Sequence, residues 1–140
     1  MIVDTSGDLL QADVDAIVNT VNCVGVMGKG VALQVKHRYP AVFAAYEREC
    51  RRGNVRIGRM LPVPTNELSR PAWVINFPTK TDWRLPSRLS YISAGLPDLL
   101  RVVKELDVRS IVIPALGAGN GGLDLGGCGT PDSVCLLGTK

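Results

Sequence analysis

Two glycine-rich segments constrain the fold of this chain most, because each follows a short run of apolar and β-branched residues. The run Ala16–Val21 precedes the segment Gly25–Gly30, and the run Ser110–Leu116 precedes the segment Gly117–Gly122. Runs of this composition are typical of buried strands. Glycine lets the backbone approach a ligand closely, and successive exposed amide N–H groups make a concave site for an anion. The two segments therefore predict a diphosphate held between two loops, with a pair of tight turns that bind nothing as the simpler alternative.

Helical patterns separate these runs and indicate the fold class. Helices are predicted at Val31–Arg38, Pro40–Arg52 and Arg88–Leu106, and further strands at Ile2–Thr5, Met60–Pro64 and Trp73–Phe77. Pro97 predicts either a kink in the third helix or a helix that begins there. Alternating strands and helices favour an α/β fold in which helices cover a mostly buried sheet. Ligands of such folds lie beyond the carboxyl ends of strands, where both glycine-rich segments begin.

Length and charge narrow the class of protein. The 140 residues fit one domain. No apolar run reaches the ~20 residues that span a bilayer, and Met1–Asp4 lacks the pattern of a signal peptide, so we expect a cytoplasmic protein. A net charge of +3 does not establish a nucleic-acid partner. Basic residues cluster at Lys36–Arg38, Arg48–Arg59 and Lys80–Arg88; such groups can follow phosphates, although a solvated helix face explains the second better.

Metal and nucleotide motifs are weak in this sequence. The four cysteines form no Cys-x-x-Cys pair and there is one histidine, so we expect reduced thiols, no metal and no cofactor. Gly28 and Lys29 resemble part of a P-loop, but Cys23 stands where that motif needs glycine and Gly30 where it needs a hydroxyl. The second segment has the spacing Gly-x-Gly-x-x-Gly. Too few residues follow Gly122 to complete a Rossmann unit.

Several motifs in a fixed order resemble the macrodomain family. They are Gly7-Asp8-Leu9-Leu10, the stretch Asp15 to Asn22 and both glycine-rich segments. The stretches Val21 to Ala32, Asn76 to Lys80 and Gly117 to Asp124 are similar to one branch of it, the DarG-type DNA ADP-ribosyl glycohydrolase antitoxins, which are paired with a DarT toxin. The resemblance implies a three-layer α/β/α sandwich with a mixed central sheet.

The resemblance also implies an ADP-ribose site. Asp8 would accept a hydrogen bond from the adenine amino group with Leu9 beside the ring, and a turn cap is the alternative for Asp8. Asn22 would direct its amide at the distal ribose, whereas Asn19 would be structural, bonding the backbone at the strand end. The segment Val26 to Val31 would hold the distal ribose and diphosphate, and the segment Leu116 to Gly121 would close over the phosphates from the other side. The implied contacts are Val26, Met27, Gly28, Lys29, Gly30, Val31, Thr79, Leu116, Gly117, Ala118, Gly119, Asn120 and Gly121.

Catalysis is implied for Lys80 and Asn22, with an ordinary surface lysine as the alternative for Lys80. The reaction would hydrolyse the N-glycosidic bond between ADP-ribose and a thymine base. Most glycosidases use two carboxylates, and no carboxylate pair accompanies either loop. Lys80 could instead attack the anomeric carbon or the opened sugar, or assist the base as it leaves.

The DNA would enter as a single strand, because a base inside a duplex hides its linkage. Trp83, Arg84 and Arg88 are the candidate contacts, since arginine beside an aromatic ring suits phosphate binding and base stacking. For Trp83, packing on the core is the alternative. ADP-ribose, ADP-ribosylated single-stranded DNA and a DarT-type toxin are thus the expected partners, with no membrane.

The resemblance ends at Asp124. The family continues with a tryptophan, an amphipathic helix and a last strand, whereas this chain continues with glycines and the short apolar run Ser133–Leu137. We therefore expect a macrodomain over residues 1–124 and an atypical tail over residues 125–140, its helix missing or altered as truncation or a frameshift would produce. Three functions stay open: a glycohydrolase acting on thymidine in single-stranded DNA, an ADP-ribose reader without catalysis, and a hydrolase acting on ADP-ribosylated protein or a phosphorylated ADP-ribose metabolite.

Overall fold

The strands of this protein form one mixed sheet. A computed structural model describes the backbone of residues 2–5, 10, 12–114 and 134–138, and the side chains of residues 10 and 12–114. The strands are β1 (Ile2–Thr5), β2 (Ala16–Val21), β3 (Leu61–Pro64), β4 (Trp73–Pro78), β5 (Ser110–Pro114) and β6 (Val134–Gly138). The helices are α1 (Gly30–Arg38), α2 (Pro40–Arg51) and α3 (Leu89–Glu105). Among these residues, no helix is both long and apolar enough to cross a membrane.

The strand order is β1-β6-β5-β2-β4-β3, with β2 parallel to both of its neighbours. The outer pairs β3–β4, β5–β6 and β1–β6 are antiparallel. The mixed sheet that the family resemblance implied is thus confirmed. Because β2, β4 and β5 are parallel, their carboxyl ends lie at one edge of the sheet, and the segments that follow them begin there.

Helices cover both faces of the sheet, because successive side chains of a strand point to opposite sides. Ala16 and Val18 of β2 and Phe77 of β4 belong to a core cluster with α3, to which that helix contributes Ile92 and Leu99. A second cluster lies on the other face, where α1 and α2 pack on residues of β2 and β4. Its buried members are Val21, Met27, Val35, Tyr39, Val42, Tyr46, Val55 and Val74. The expected α/β/α sandwich is therefore confirmed.

Differences from the sequence-based elements have local causes. Helix α3 runs through Pro97, so the expectation of a helix beginning there is wrong; Ile92 and Leu99 are buried on either side of the proline and keep both halves on one core. The strand predicted from Met60 begins at Leu61, because the Met60 amide donates to the Asp98 carboxylate over 2.7 Å. The apolar run in the tail forms β6, which pairs with β1 and β5. The predicted loss of the C-terminal helix lies outside the described residues, and the domain boundary at residue 124 stays a prediction.

Candidate functional site

Two segments meet where β2 and β4 end. In register, Val21 of β2 lies beside Pro78 of β4. The pairing continues past both strands, since the Thr79 amide donates to the Val21 carbonyl over 2.9 Å and the Cys23 amide to the Thr81 carbonyl over 3.3 Å. These bonds hold residues 22–30, which we call the first loop, against the segment that carries Lys80.

Asn22 organises the first loop through its side-chain amide. Its Oδ1 accepts hydrogen bonds from the amides of Val24 (3.0 Å) and Val26 (3.3 Å). Its Nδ2 donates to the Val26 carbonyl over 2.8 Å. Asn22 is nearly buried, with 7% of its surface exposed. The amide thus closes the turn from residue 22 to residue 26, and a contact of Asn22 with the distal ribose stays a prediction.

The conformation of the first loop requires glycine at two positions. Gly25 and Gly30 have φ of 88° and 63°, in the left-handed region that other residues rarely adopt. Gly28 has no such φ, and a Cβ added there would meet the Val26 side chain at an ordinary 3.5 Å. The expected backbone freedom is therefore needed at the ends of the segment Gly25–Gly30, whereas the structure gives no conformational reason for glycine at position 28.

Not every predicted contact in the first loop can meet a ligand with its side chain. Met27 is 1% exposed and its side chain packs in the second core cluster, so neither its side chain nor its backbone is accessible in this structure. Val31 is half-buried against the same cluster. Val26, Gly28 and Lys29 are exposed. The accessible rim of the loop therefore consists of Val24, Val26, Gly28, Lys29 and Gly30.

Lys80 stands at the point where the two segments meet. It follows Thr79, which is 5% exposed, and is itself half-buried. The hydrogen bonds of Thr79 and Thr81 to β2 and the first loop fix the backbone on both sides of it. Among the described residues, no carboxylate forms a salt bridge with Lys80. Its ammonium group is thus not paired with a carboxylate of these residues, and it can interact with an anion or with negative charge that develops during a reaction.

The three candidate DNA contacts differ in their surroundings. Trp83 is 51% exposed, which argues against packing on the core as its main role. Arg84 lies over the Trp83 ring, 5.6 Å from its centroid, and is held by Asp82 through hydrogen bonds of 3.0 and 2.7 Å. Those bonds lower the pKa of Asp82 to about 2, so its charge compensates that of Arg84. Arg88 lies over the Tyr91 ring at 5.9 Å and has no salt bridge within the described part of the chain.

Asn19 has a structural role, but its partner is not the backbone that the sequence suggested. Its Nδ2 donates to Oδ1 of Asn76 over 3.0 Å, and the Asn76 amide donates to the Leu61 carbonyl over 3.1 Å. The correction follows from register, because Asn19 and Asn76 lie side by side within β2 and β4 and not at a strand end. The Asn19 Oδ1 atom is buried and has no hydrogen-bond partner among the described residues, and the Asn19 Nδ2 lies 4.0 Å from the Met27 sulfur beneath the first loop.

Cys23 and Cys50 are half-buried free thiols beside the first loop. Burial raises the pKa of both thiols, and for Cys23 the nearby Cys50 adds to the effect. A thiol is a poor nucleophile until it ionises. Cys23 is therefore a packing residue of the loop, and Lys80 is the better candidate for chemistry.

Part of the predicted site lies outside the described residues. This holds for Asp8 and Leu9, expected at the adenine, and for Leu116, Gly117, Ala118, Gly119, Asn120 and Gly121, expected at the phosphates. Sequence reasoning also missed one residue beneath the first loop, Tyr46. The steps of three and four residues from Val35 through Tyr39 and Val42 to Tyr46 mark an apolar stripe, which predicts burial and nothing about the loop.

Known proteins match this chain over most of its length. The family model of the Macro domain matches residues 18–128. The DNA ADP-ribosyl glycohydrolase of Mycobacterium tuberculosis is 62% identical over 124 residues, which are 89% of this chain and 35% of that protein. The chain spans about a third of the length of the curated relatives that it matches.

Solved structures agree with that match. The macrodomain of Mycobacterium tuberculosis DarG superposes with a TM-score of 0.84 at 62% identity, over 86% of this chain and 79% of that one. Thermosipho africanus DarTG in complex with ADP-ribose superposes with a TM-score of 0.75 at 31% identity, over 84% of this chain and 34% of that one.

Proposed function

The chain belongs to the macrodomain family, and from that premise we propose that it is a DNA ADP-ribosyl glycohydrolase that releases ADP-ribose from thymidine bases of single-stranded DNA. One observation carries the proposal: Lys80, without a carboxylate partner among the described residues, is held against the first loop by hydrogen bonds between the ends of β2 and β4. The 62% identity to a protein named for this activity supports the same reaction.

ADP-ribose would bind at the carboxyl ends of the parallel strands. The exposed residues Val26 and Gly28 to Gly30, with the Lys29 side chain, would meet the distal ribose and the diphosphate. Thr79 would contribute from the neighbouring segment. Asp8, Leu9 and the segment Leu116–Gly121 would complete the site at the adenine and at the far side of the phosphates.

The reaction breaks the bond between C1 of the distal ribose and the thymine nitrogen and forms a bond between C1 and oxygen in its place. Water supplies the hydroxyl that joins C1, and a proton joins the departing nitrogen. Lys80 would act at this bond in one of two ways: its amine attacks the sugar carbon and is later displaced, or its ammonium group donates the proton to the leaving base. Reduction with borohydride during turnover separates the two, because only in the first does the ribose adduct open to an imine between C1 and the Lys80 Nζ, which hydride reduces to a stable secondary amine.

The strand on either side of the modified base would cross the surface beyond Lys80. Trp83, half exposed, offers a face on which a neighbouring base can stack. Arg88 would contact a phosphate. Arg84 would contribute mainly by bracing Trp83, because Asp82 already compensates its charge.

As an antitoxin-type enzyme, the protein would reverse modification made by a DarT-type toxin in the cytoplasm, where the DNA is. The fusion of a DNA ADP-ribosyl transferase with a glycohydrolase in one Thermosipho africanus protein supports this pairing. The proposed partners are therefore ADP-ribosylated DNA and a toxin of that class.

The test compares three activities of wild type and Lys80→Ala. We expect wild type to bind ADP-ribose in calorimetry and to release it from a single-stranded oligonucleotide carrying ADP-ribosylated thymidine, and Lys80→Ala to bind but not release it. Binding without release by wild type would identify a reader. Faster release from ADP-ribosylated protein than from DNA would identify the protein-directed hydrolase instead.

A further inference from the structure

A buried hydroxyl of helix α2 contacts the residue that shapes the first loop. Tyr46 is 0% exposed. Its hydroxyl lies 2.8 Å from the Asn22 carbonyl oxygen and 2.7 Å from the Asn22 side-chain Oδ1. Both are acceptors, so the single hydroxyl proton is shared between the main chain and the side chain of one residue.

The hydroxyl therefore joins a continuous chain of hydrogen bonds that reaches the accessible rim. Oδ1 of Asn22, which Tyr46 contacts, also accepts from the amides of Val24 and Val26. The Asn22 Nδ2 donates to the carbonyl of Val26, and Val24 and Val26 are both exposed. Four hydrogen bonds thus fix the orientation of the Asn22 side-chain amide: those to Tyr46, to the Val24 amide, and to the amide and carbonyl of Val26. The orientation of that amide in turn fixes the direction of the loop backbone.

Packing between the first loop and α2 makes the same connection. A Cβ placed on Gly25 would lie 3.7 Å from both the Cys50 Cβ and the Glu47 Cγ, so the loop rests on the side of α2 that carries Tyr46. Burial raises the pKa of Tyr46 well above its usual value, which keeps the hydroxyl protonated and a donor throughout the working pH range.

We infer that Tyr46 is a positioning residue for ADP-ribose: it fixes the first loop through Asn22 without touching the ligand. The inference rests on the proposed function, because it takes residues 26–30 as the cradle of the ribose and diphosphate. A tyrosine that only filled the core would need its ring and not its hydroxyl. Removing the oxygen alone therefore separates the two roles.

The experiment compares Tyr46→Phe with Tyr39→Phe. Both remove one hydroxyl from the same core cluster, and only the first removes the bonds to Asn22. Losing one net hydrogen bond that holds the bound geometry weakens binding about fivefold. We expect the Kd for ADP-ribose, by calorimetry, to rise by about that factor in Tyr46→Phe and to stay at the wild-type value in Tyr39→Phe. Equal Kd values for Tyr46→Phe and wild type would overturn the inference.

Further readouts distinguish positioning from a general loss of structure. In Tyr46→Phe we expect KM to rise with kcat close to wild type, and amide hydrogen exchange to accelerate at Val24 and Val26 while β2 stays protected. Exchange that is unchanged at these two amides would contradict the inference. If Tyr46→Phe does not fold, Asn22→Ala takes its place, and unchanged exchange at Val24 and Val26 overturns the inference there too.

A coupling measurement completes the test. The effect of Tyr46→Phe on Kd should shrink in an Asn22→Ala background, because the two side chains act through one network. An equal effect of Tyr46→Phe on Kd in the wild-type and Asn22→Ala backgrounds would show that Tyr46 does not act through Asn22. Failure of wild type to bind ADP-ribose would instead refute the proposed function, so the two failures are distinguishable.

Discussion

At the amino ends of the parallel strands a carboxylate meets an arginine and two backbone amides. At their carboxyl ends a neutral amide holds the chain, and Lys29 and Lys80 have no carboxylate partner among the described residues. Asp15, just before β2, accepts from the amides of Arg109 (2.8 Å) and Ser110 (3.3 Å) and pairs with Arg70 at 3.1 Å. At the other end Asn22 orders the loop, and within the described residues neither Lys29 nor Lys80 has a salt bridge.

The carboxylate at the amino ends is paired within the protein, whereas the lysines at the carboxyl ends are the charges that the proposed function assigns to a ligand. Both carboxylate oxygens of Asp15 have partners within the protein, because Oδ2 accepts from the two backbone amides and Oδ1 pairs with Arg70. The outer surface of α2 behaves in the same way, with Arg51 paired to Glu47 and Arg52 to Glu49, which agrees with a solvated helix face. A lysine without a carboxylate partner among the described residues is available to the diphosphate or the glycosidic bond of the proposed substrate.

The largest expected effect is on turnover at the carboxyl ends. Lys80→Ala should lower the rate of ADP-ribose release by about 10² to 10⁴, the usual contribution of a positioned acid–base group. Its melting temperature should stay close to wild type, because no described residue forms a salt bridge with Lys80. Single-turnover kinetics measure the rate of release, and calorimetry measures the melting temperature. A matched control is Lys104→Ala, an exposed lysine in the last turn of α3.

The next effect is on stability at the amino ends. Asp15→Asn should lower the free energy of unfolding by about 1–3 kcal/mol, since it removes a charged acceptor of two backbone amides. Asp13→Asn is the control, because Asp13 is 86% exposed and pairs with the same Arg70. Urea denaturation measures both. Equal losses in the two variants would show that Asp15 contributes only as a surface charge.

The same carboxylate predicts a pH dependence. The bonds from the Arg109 and Ser110 amides and the charge of Arg70 hold the pKa of Asp15 below its usual value, although burial opposes them. Its stabilisation is therefore complete above the unfolded-state pKa of about 4 and is lost as pH falls through the lower folded-state pKa. The stability difference between wild type and Asp15→Asn should be constant from neutral pH to about 5 and shrink below that. A difference that grew on acidification would contradict this assignment.

The smallest expected effect distinguishes two neighbouring arginines. Arg88→Gln should weaken binding of a modified oligonucleotide a few-fold and reduce the slope of log K against log salt by about 0.7, one phosphate contact on single-stranded DNA. Arg84→Gln should change the slope less, because Asp82 already compensates that charge. Binding to Lys80→Ala protein at several salt concentrations measures both without turnover. Equal slopes in the two variants would remove Arg88 from the strand path.

Local patterns were sufficient to predict the central strands and the position of Lys80 beside the first loop. Ala16–Val21 and Trp73–Phe77 are apolar and β-branched, and parallel neighbours necessarily end at one edge of a sheet. That rule places Lys80 beside the first loop. Contacts between distant residues were not predictable in this way: Asp15 finds Arg109 and Ser110 only because β2 and β5 are adjacent.

The sequence pattern also did not predict the directions in which side chains point. Met27 lies in a glycine-rich loop yet points into the core, where Tyr46 and Val42 offer apolar surface. Tyr46 itself has the spacing of a core residue, and its hydroxyl has a partner only because the first loop returns over α2. Arg84 and Arg88 were both candidate DNA contacts in the sequence, and the bond from Arg84 to Asp82 distinguishes them in the structure.

The most direct test of the contrast between the two strand ends is release of ADP-ribose from an ADP-ribosylated single-stranded oligonucleotide by wild type, Lys80→Ala and Asp15→Asn, at a temperature where all three are folded. We expect Asp15→Asn, although less stable, to release ADP-ribose at close to the wild-type rate, and Lys80→Ala, although as stable as wild type, not to release it. Release at the wild-type rate by Lys80→Ala would contradict the assignment of catalysis to Lys80.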